Sequence, residues 1–224
     1  MLKYYSEVEQ GSDEWYDQRR GLLTASEMKL LVTPTLKIAS NDKERTHLYE
    51  LLAQRITGYT EPQYINDAML RGHEDEIYAR EIYSKKHSPV TEMGFITNDK
   101  WGFTIGFSPD GLVGSDGLIE IKSRCQKYQM ETILTNEVPK EHIMQIQTGL
   151  LVSERKWCDY ISYCGGMPMW VIRVYPDEVI QSAIIEATKL FEGKVKELEE
   201  NYKEIIKKKK PIQTERRIEQ EIVI

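Results

Sequence analysis

The sequence has few cysteines, no long apolar run and no surplus of basic residues. Its three cysteines, Cys125, Cys158 and Cys164, are odd in number and form no Cys-x-x-Cys pair, which argues against a disulfide framework and a zinc site. No apolar run approaches the roughly 20 residues that span a bilayer, and the segment MLKYYSEVEQ lacks the apolar stretch of a signal peptide. We therefore expect a cytoplasmic protein without a membrane partner.

Acidic residues outnumber basic residues by 36 to 30 in the 224-residue chain, which gives a formal net charge of −6. This balance excludes a protein that is basic over its whole surface. It does not exclude a nucleic-acid-binding protein, because binding needs only a local basic patch. The length, the absence of internal repeats and the lack of a Pro/Gly/Ser-rich linker predict a single domain over residues 1–224.

Hydrophobic periodicity and capping residues predict helices in both halves of the chain, with strands between them. The predicted helices cover residues 12–20, 24–31, 44–57, 65–85, 126–136 and 140–152, and a long C-terminal helix starts near Asp177. Alternating apolar residues and turn signals predict strands at 101–107, 118–122, 159–163 and 169–175. The predicted fold class is α/β. An apolar stripe along the last helix favours packing on the domain core over a subunit interface.

The segment 108–122, SPDGLVGSDGLIEIK, carries the strongest chemical signal. Alternation along a strand puts Glu120 and Lys122 on one face and the two neighbouring isoleucines on the other. Asp110 can return to Glu120 through a hairpin. Paired carboxylates suit Mg²⁺, which can activate water for attack on a phosphate, and a lysine can orient that water. A solvated hairpin with a surface Glu–Lys pair is the alternative on these residues alone.

Several motifs carry a resemblance to a known family. Ser-Pro-Asp…Glu-Ile-Lys resembles the PD-(D/E)XK nuclease signature, with Asp110, Glu120 and Lys122 as its members. Five further segments resemble motifs of the phage lambda exonuclease and YqaJ-type viral recombinase family and occur in the same order. They are GSDEW, RRG, TASE, GHEDEIYAR and QIQ. The resemblance covers roughly residues 10–175. It implies a restriction-endonuclease-like core, with a central mixed β-sheet flanked by helices.

The resemblance also implies a metal site. Asp110 and Glu120 would bind Mg²⁺, with two ions expected and Mn²⁺ as a substitute, and the backbone carbonyl of Ile121 would add a ligand. Glu76, in Gly-x-x-x-Glu, matches the family's helical acidic residue near the metal. Without the motif, Glu76 would be interpreted as a solvated helix residue.

Further site residues follow from the same resemblance. Lys122 would position the attacking water, and Gln145 would support the lysine or the water. Arg19 and Ser26 match positions that bind the 5′-phosphate of a DNA end, in agreement with the anion preference of arginine forks and helix N-termini. Met69 lies near the position of an apolar wedge that separates the terminal bases, although a lone methionine is more often a core residue.

The resemblance implies a Mg²⁺-dependent exonuclease that digests the 5′-ended strand of linear double-stranded DNA to 5′-mononucleotides. The 3′ overhangs would serve recombination by strand annealing. It also implies a homotrimeric ring around DNA and a phage single-strand annealing protein as partner, in the host cytoplasm. Two alternatives stay open: a structure- or site-specific endonuclease on the same fold, and an inactive DNA-end-binding module. His73 and the basic run Lys207–Lys210 receive no assigned role.

Overall fold

Residues 1–62 and 66–216 are described by the computed structural model, and the elements below lie within those ranges. The strands are β1 (Leu2–Tyr5), β2 (Leu23–Thr24), β3 (Phe95–Asn98), β4 (Ile105–Phe107), β5 (Gly111–Val113), β6 (Gly117–Ser123), β7 (Trp157–Tyr163) and β8 (Trp170–Val174). The α-helices are α1 (Asp13–Arg19), α2 (Asp42–Thr57), α3 (Asp67–Lys86), α4 (Gln126–Thr135), α5 (Lys140–Ser153) and α6 (Glu178–Lys209), and a 3₁₀ helix covers Ala25–Leu30.

The strands form two four-stranded mixed sheets. One has the order β1-β3-β4-β2, in which only β2 and β4 are parallel. The other has the order β5-β6-β7-β8, in which only β6 and β7 are parallel. The predicted α/β class with mixed sheet pairing and flanking helices is therefore confirmed, with the pairing divided between two sheets. Among the described residues, no helix is both long enough and apolar enough to cross a bilayer.

The central strand β6 divides the buried apolar residues into two clusters. Leu118 belongs to the larger cluster, which includes Met144 of α5 and Tyr160 of β7. Ile119 and Ile121 belong to the smaller cluster, which includes residues of α3. Side chains alternate along a strand. Glu120, between the two isoleucines, and Lys122, after them, therefore face the same side of the sheet as Leu118, which is the side of α5. This alternation determines where the polar residues of β6 lie.

The last helix, α6, packs its apolar stripe on the core along its first half. Ile184, Phe191 and Val195 are buried, and Arg55 of α2 makes a two-pronged ion pair with Glu192, at 2.8 and 2.7 Å. The predicted start is confirmed, because the Asp177 side chain accepts hydrogen bonds from the first backbone N–H groups of the helix. In this half of the helix the apolar stripe packs on the domain core, as predicted.

Several sequence predictions differ from the structure, among them the start of α2, which is Asp42 and not Glu44. The strand predicted at 101–107 is wrong over its first four positions, because β4 begins only at Ile105. Gly102 has φ +85° there, which an extended strand does not allow. The helix predicted at 24–31 is a 3₁₀ helix over Ala25–Leu30. The helix predicted to start at Ile65 begins at Asp67, and Ile65 itself lies outside the described residues.

Candidate active site

The hairpin of β5 and β6 brings the three signature residues together. β5 pairs with β6 in antiparallel fashion, so the chain returns toward Asp110, and the Ile121 N–H donates a hydrogen bond to Asp110 Oδ2 at 2.5 Å. On the α5 side of β6, Lys122 Nζ lies 2.6 Å from Glu120 Oε1. The sequence pattern predicted this meeting of two carboxylates and a lysine.

Gly111 allows this close approach. A Cβ atom at position 111 would lie 2.2 Å from Cγ1 of Val90 and 3.0 Å from Cδ1 of Ile119. Any side chain there would therefore force Val90 or β5 itself to shift, next to Asp110, the preceding residue. The glycine in Ser-Pro-Asp-Gly thus helps to set the position of the Asp110 carboxylate.

Glu120 is a buried carboxylate with unused acceptor capacity. Its side chain is 1% exposed, and neither oxygen accepts a well-aligned hydrogen bond from the residues that the structure describes. The Lys122 ammonium is its close charge partner. Burying an ionised carboxylate without enough donors is costly. A cation bound beside Glu120 would therefore stabilise its ionised form.

The pKa values of Asp110, Glu120 and Lys122 are shifted by burial and by the charges of their neighbours. Burial raises the pKa of Asp110 to about 7, and the charge of Glu76 adds to the rise. Burial also raises the pKa of Glu120 to about 7, against the opposing effect of Lys122. For Lys122, burial favours the neutral form, but Glu120 and Asp110 together leave its pKa above the usual value. Lys122 is therefore protonated at neutral pH, while the two carboxyls titrate near neutrality.

The donor set fits a hard divalent cation. Asp110 and Glu120 offer carboxylate oxygens, and both Glu120 oxygens lack a well-aligned hydrogen-bond donor among the described residues. Mg²⁺ needs few protein carboxylates because it keeps several waters. Within residues 1–62 and 66–216, no three His, Cys, Asp or Glu side chains are already arranged as a metal cage. Two carboxylates therefore form the core of the candidate metal site, and the predicted carbonyl ligand at Ile121 directly follows Glu120 along β6.

Glu76 approaches this site from α3 but is held by an arginine. Its Oε1 lies 2.5 Å from Nη2 of Arg80, which also contacts Glu92 at 3.0 Å. Burial raises the pKa of Glu76, Arg80 opposes the rise, and the charge of Glu120 adds to it. Glu76 thus lies within electrostatic reach of the two acids. Sequence reasoning missed Arg80, although its position four residues after Glu76 is a signal for a helical ion pair.

The two glutamines of the QIQ motif on α5 have different surroundings. Gln147 is buried, donates to the Tyr175 carbonyl at 2.8 Å and accepts from the Asp177 N–H at 2.9 Å. It therefore connects α5 to the start of α6. Gln145 is only partly buried, and no hydrogen bond of its side chain occurs among the described residues. Gln145 remains the candidate for a site role, as predicted from the resemblance.

A second group of polar residues surrounds Arg19. Its Nη1 donates to Ser108 Oγ and its Nη2 to Thr24 Oγ1, both at 3.1 Å, and Thr24 Oγ1 lies 3.1 Å from Ser26 Oγ. The guanidinium carbon lies 4.3 Å from the centre of the Trp15 ring. The predicted pair Arg19 and Ser26 is therefore joined through Thr24, a residue that sequence reasoning missed.

This arginine group adjoins the carboxylate site through the chain itself. Ser108, which accepts from Arg19 and from the Trp15 indole N–H at 2.9 Å, precedes Pro109 and Asp110. The serine of the Ser-Pro-Asp motif thus links the two groups of residues.

The remaining predicted residues lie on exposed parts of the chain. Met69, in the first turn of α3, is 42% exposed, so it is not a core residue. His73 is exposed on the same helix. Lys207–Lys209 form the last turn of α6, where positive charge stabilises a helix end.

Comparison with known proteins identifies a family. The model described as a YqaJ-like viral recombinase domain matches residues 14–156, a range that contains all the predicted site residues. Among curated proteins, none matches the sequence significantly.

Solved structures resemble the chain over most of its length. The alkaline exonuclease LHK-Exo from Laribacter hongkongensis is 33% identical, with coverage of 88% of this chain and 99% of that chain and a TM-score of 0.78. The complex of LHK-Exo with dAMP gives 32% identity, 87% and 100% coverage and a TM-score of 0.72. A phage related exonuclease from Haemophilus somnus 129PT is 12% identical, with 79% and 96% coverage and a TM-score of 0.53, which supports the fold alone.

Proposed function

The chain belongs to the YqaJ-like viral recombinase domain family, and on that premise we propose that it is a Mg²⁺-dependent exonuclease acting on linear double-stranded DNA. Nuclease function is supported by the family and by the alkaline exonuclease that the chain resembles. The finer proposal is digestion of the 5′-ended strand to 5′-mononucleotides, which leaves a 3′ overhang. The observation that carries the proposed metal-dependent nuclease activity is the buried Glu120 carboxylate, without aligned donors, beside Asp110 and Lys122.

The chain's residues divide the chemistry between them. A bound divalent cation would supply polarisation of the scissile phosphate and activation of water. Asp110 and Glu120 would hold that cation, with the Ile121 carbonyl and Glu76 as further ligands. Lys122 carries a proton at neutral pH, so we assign it to orienting the water and stabilising developing negative charge rather than to accepting a proton. Gln145 would support Lys122 or the water.

The Arg19 group supports the proposed polarity. A guanidinium fork binds phosphate oxygens in a two-pronged manner, and Ser26 and Ser108 add hydroxyl groups within the same hydrogen-bonded set. Since Ser108 is two residues from Asp110, a terminal 5′-phosphate on Arg19 would place the next phosphodiester near the metal ligands. Met69, exposed on α3, is the proposed wedge between the terminal bases.

The function is tested on linear duplexes labelled separately at each end, with and without a 5′-phosphate, in the presence of Mg²⁺. We expect release of mononucleotides from the 5′-ended strand, with a roughly 10- to 100-fold preference for the phosphorylated end, because hydrogen bonds to a charged group contribute about 1.5–3 kcal/mol. Arg19→Gln is expected to remove this preference and retain digestion of the unphosphorylated end.

A covalently closed circle and an Arg20→Gln variant serve as controls. Arg20 is adjacent to Arg19 but pairs with Asp17, so its loss should leave the phosphate preference unchanged. Nicking or linearisation of the circle would favour a structure- or site-specific endonuclease instead. Tight end binding without cleavage in Mg²⁺ or Mn²⁺ would favour an inactive DNA-end-binding module.

We also propose a homotrimeric ring, a phage single-strand annealing protein as partner and a location in the host cytoplasm. A ring would retain DNA by topology, so that a chain of net charge −6 needs basic residues only along its channel. Exposed apolar side chains on α3 offer a contact surface between copies: Leu70, Ile77, Tyr78 and Ile82. The measurement is the mass in solution, for which we expect three times 26.2 kDa. A strictly monomeric mass would overturn the ring.

A further inference from the structure

Arg124 lies just beyond the catalytic end of β6. It follows Lys122 by two residues, and its backbone N–H donates to the Tyr163 carbonyl at 2.7 Å. This bond continues the pairing of β6 with β7 past the last residue of the strand. Two residues of extended chain span about 7 Å. The backbone hydrogen bond therefore fixes Arg124 about that far beyond Lys122 along the strand direction.

The charge of Arg124 is poorly compensated. The Arg124 side chain is 12% exposed. Its Nη1 lies 3.5 Å from Oε1 of Glu141, a side chain that is 55% exposed. Its Nε atom is shielded from solvent and has no hydrogen-bond partner among the described residues. Because a buried charge without a close counter-charge is costly, this guanidinium has unused capacity for an anion.

His142 positions Arg124 without cancelling its charge. Nη1 of Arg124 lies 3.1 Å from Nε2 of His142. Burial and then the charge of Lys122 lower the pKa of His142 to about 3, Glu141 opposes the fall, and Arg124 and Lys29 add to it. His142 is therefore neutral at physiological pH, and its Nε2 accepts the hydrogen bond.

Two aromatic rings hold this pair in place. The His142 ring stacks on Tyr160, with ring centroids 5.7 Å apart and an interplanar angle of 25°. The guanidinium carbon of Arg124 lies 5.0 Å from the centre of the Tyr128 ring. Stacking on an aromatic ring keeps a guanidinium plane oriented while its edge stays available for ligands.

We propose that Arg124, positioned by His142, binds a backbone phosphodiester of the DNA strand in the active site, next to the scissile phosphate. The inference rests on the proposed function. The Arg19 group adjoins the site at Asp110, whereas Arg124 lies past Lys122. The strand would therefore be held on both sides of the scissile bond, with Arg124 on the 3′ side. Neither the contact nor a role for this arginine follows from the signature residues.

The test is the salt dependence of DNA binding. Affinity for a short linear duplex is measured with EDTA present, so that no cleavage occurs, over a series of KCl concentrations. Each phosphate contact adds about 0.9 to the slope of log K against log salt concentration. Arg124→Gln is expected to reduce the slope by about one and to weaken binding about tenfold. Arg124→Lys, which keeps the charge, is expected to retain the slope but bind more weakly.

Lys156→Gln is the matched control for the loss of one positive charge. Lys156 is 73% exposed, pairs with Asp116 and lies at the opposite end of the β6–β7 pairing, so its slope should equal that of the wild type. Glu141→Gln, an exposed change that removes the competing carboxylate, is expected to tighten binding and does not depend on the folding of an Arg124 variant.

The outcomes separate this inference from the function on which it rests. Normal digestion by the wild type, with an unchanged slope in Arg124→Gln, would overturn the Arg124 contact alone. Unchanged affinity in Glu141→Gln would also count against it. A wild type that neither binds nor digests linear duplex DNA would overturn the proposed function and the contact together.

Discussion

Lys122→Met is expected to lower the rate of DNA digestion by about 10²- to 10³-fold, the range seen when one preorganised donor to a developing charge is removed. Methionine keeps most of the aliphatic stem but removes the ammonium that lies 2.6 Å from Glu120 Oε1. The water would lose its donor, and the two carboxyls would lose the cation that favours their ionised forms. The measurement is the initial rate of mononucleotide release in Mg²⁺.

DNA binding and folding distinguish a catalytic defect from a structural one. We expect Lys122→Met to bind linear duplex DNA within a few-fold of the wild type and to unfold cooperatively. Lys156→Met, at the far end of the same pair of strands, should digest DNA at the wild-type rate. Digestion by Lys122→Met within a few-fold of the wild type would remove the lysine from the proposed mechanism.

The hairpin that carries the site could be predicted from the sequence because its information is local. Turn residues follow Asp110, and strict alternation over β6 puts Glu120 and Lys122 on one face. The register of Gly111 opposite Ile119 then follows from a short connection. Caps were equally informative, since Asp177 begins α6 and Gly58, with φ +63°, ends α2.

The missed elements have weak local signals. β3 is four consecutive buried residues, Phe95–Asn98, and a short buried run has no period that distinguishes a strand from a helix. β1 has two exposed residues in the middle of its four, so its pairing with β3 depends on a distant partner. At Trp101 and Phe103 the alternation was real but did not mean a strand: the two rings stack, 6.3 Å apart, around a turn at Gly102.

The contacts of the site depend on long-range packing and could not be read from the sequence. Arg124 and His142 are 18 residues apart in sequence, and they meet because α5 packs against β7, the strand that neighbours β6. Arg19 reaches Ser108 across 89 positions. Arg80 is the exception, because its position four residues after Glu76 is typical of a helical ion pair, although that pair was not predicted. The sequence does not show which side chain lies beside each charged group in space. That neighbour decides whether the charged group is available to bind a ligand.

The metal-free protein is expected to lose stability as the pH rises from about 5 to 8. The folded-state pKa of Asp110 is raised to about 7 from 3.8, and that of Glu120 to about 7 from 4.5. Between these values the folded state binds more protons than the unfolded state, so the free energy of unfolding falls with increasing pH. The stabilising contribution is fully present below the unfolded pKa values and is lost as the pH passes through about 7.

The expected size of this loss is on the order of a few kcal/mol, since each pKa unit corresponds to about 1.4 kcal/mol and the two acids are not independent. For a domain of this length, that is a fall in melting temperature of roughly 5–10 °C. Thermal unfolding followed by circular dichroism in EDTA at pH 5 and pH 8 measures it. Other titrating groups also contribute to the dependence of stability on pH. The contribution of the site is therefore measured as the difference between the wild type and a site variant.

Glu120→Gln separates the site from the rest of the protein. The amide does not ionise and is a poor metal ligand, so the variant should lose less stability than the wild type between pH 5 and 8. Mg²⁺ should raise the melting temperature of the wild type at pH 8 more than at pH 5, because the cation binds the ionised carboxylates, and should raise that of Glu120→Gln little at either pH. Parallel pH curves for the two proteins, with equal Mg²⁺ shifts, would show that Glu120 is neither the titrating group nor a metal ligand. A smaller loss of stability with pH in Glu120→Gln, together with a smaller Mg²⁺ shift, would show that this one buried carboxylate both titrates near neutral pH and binds the cation.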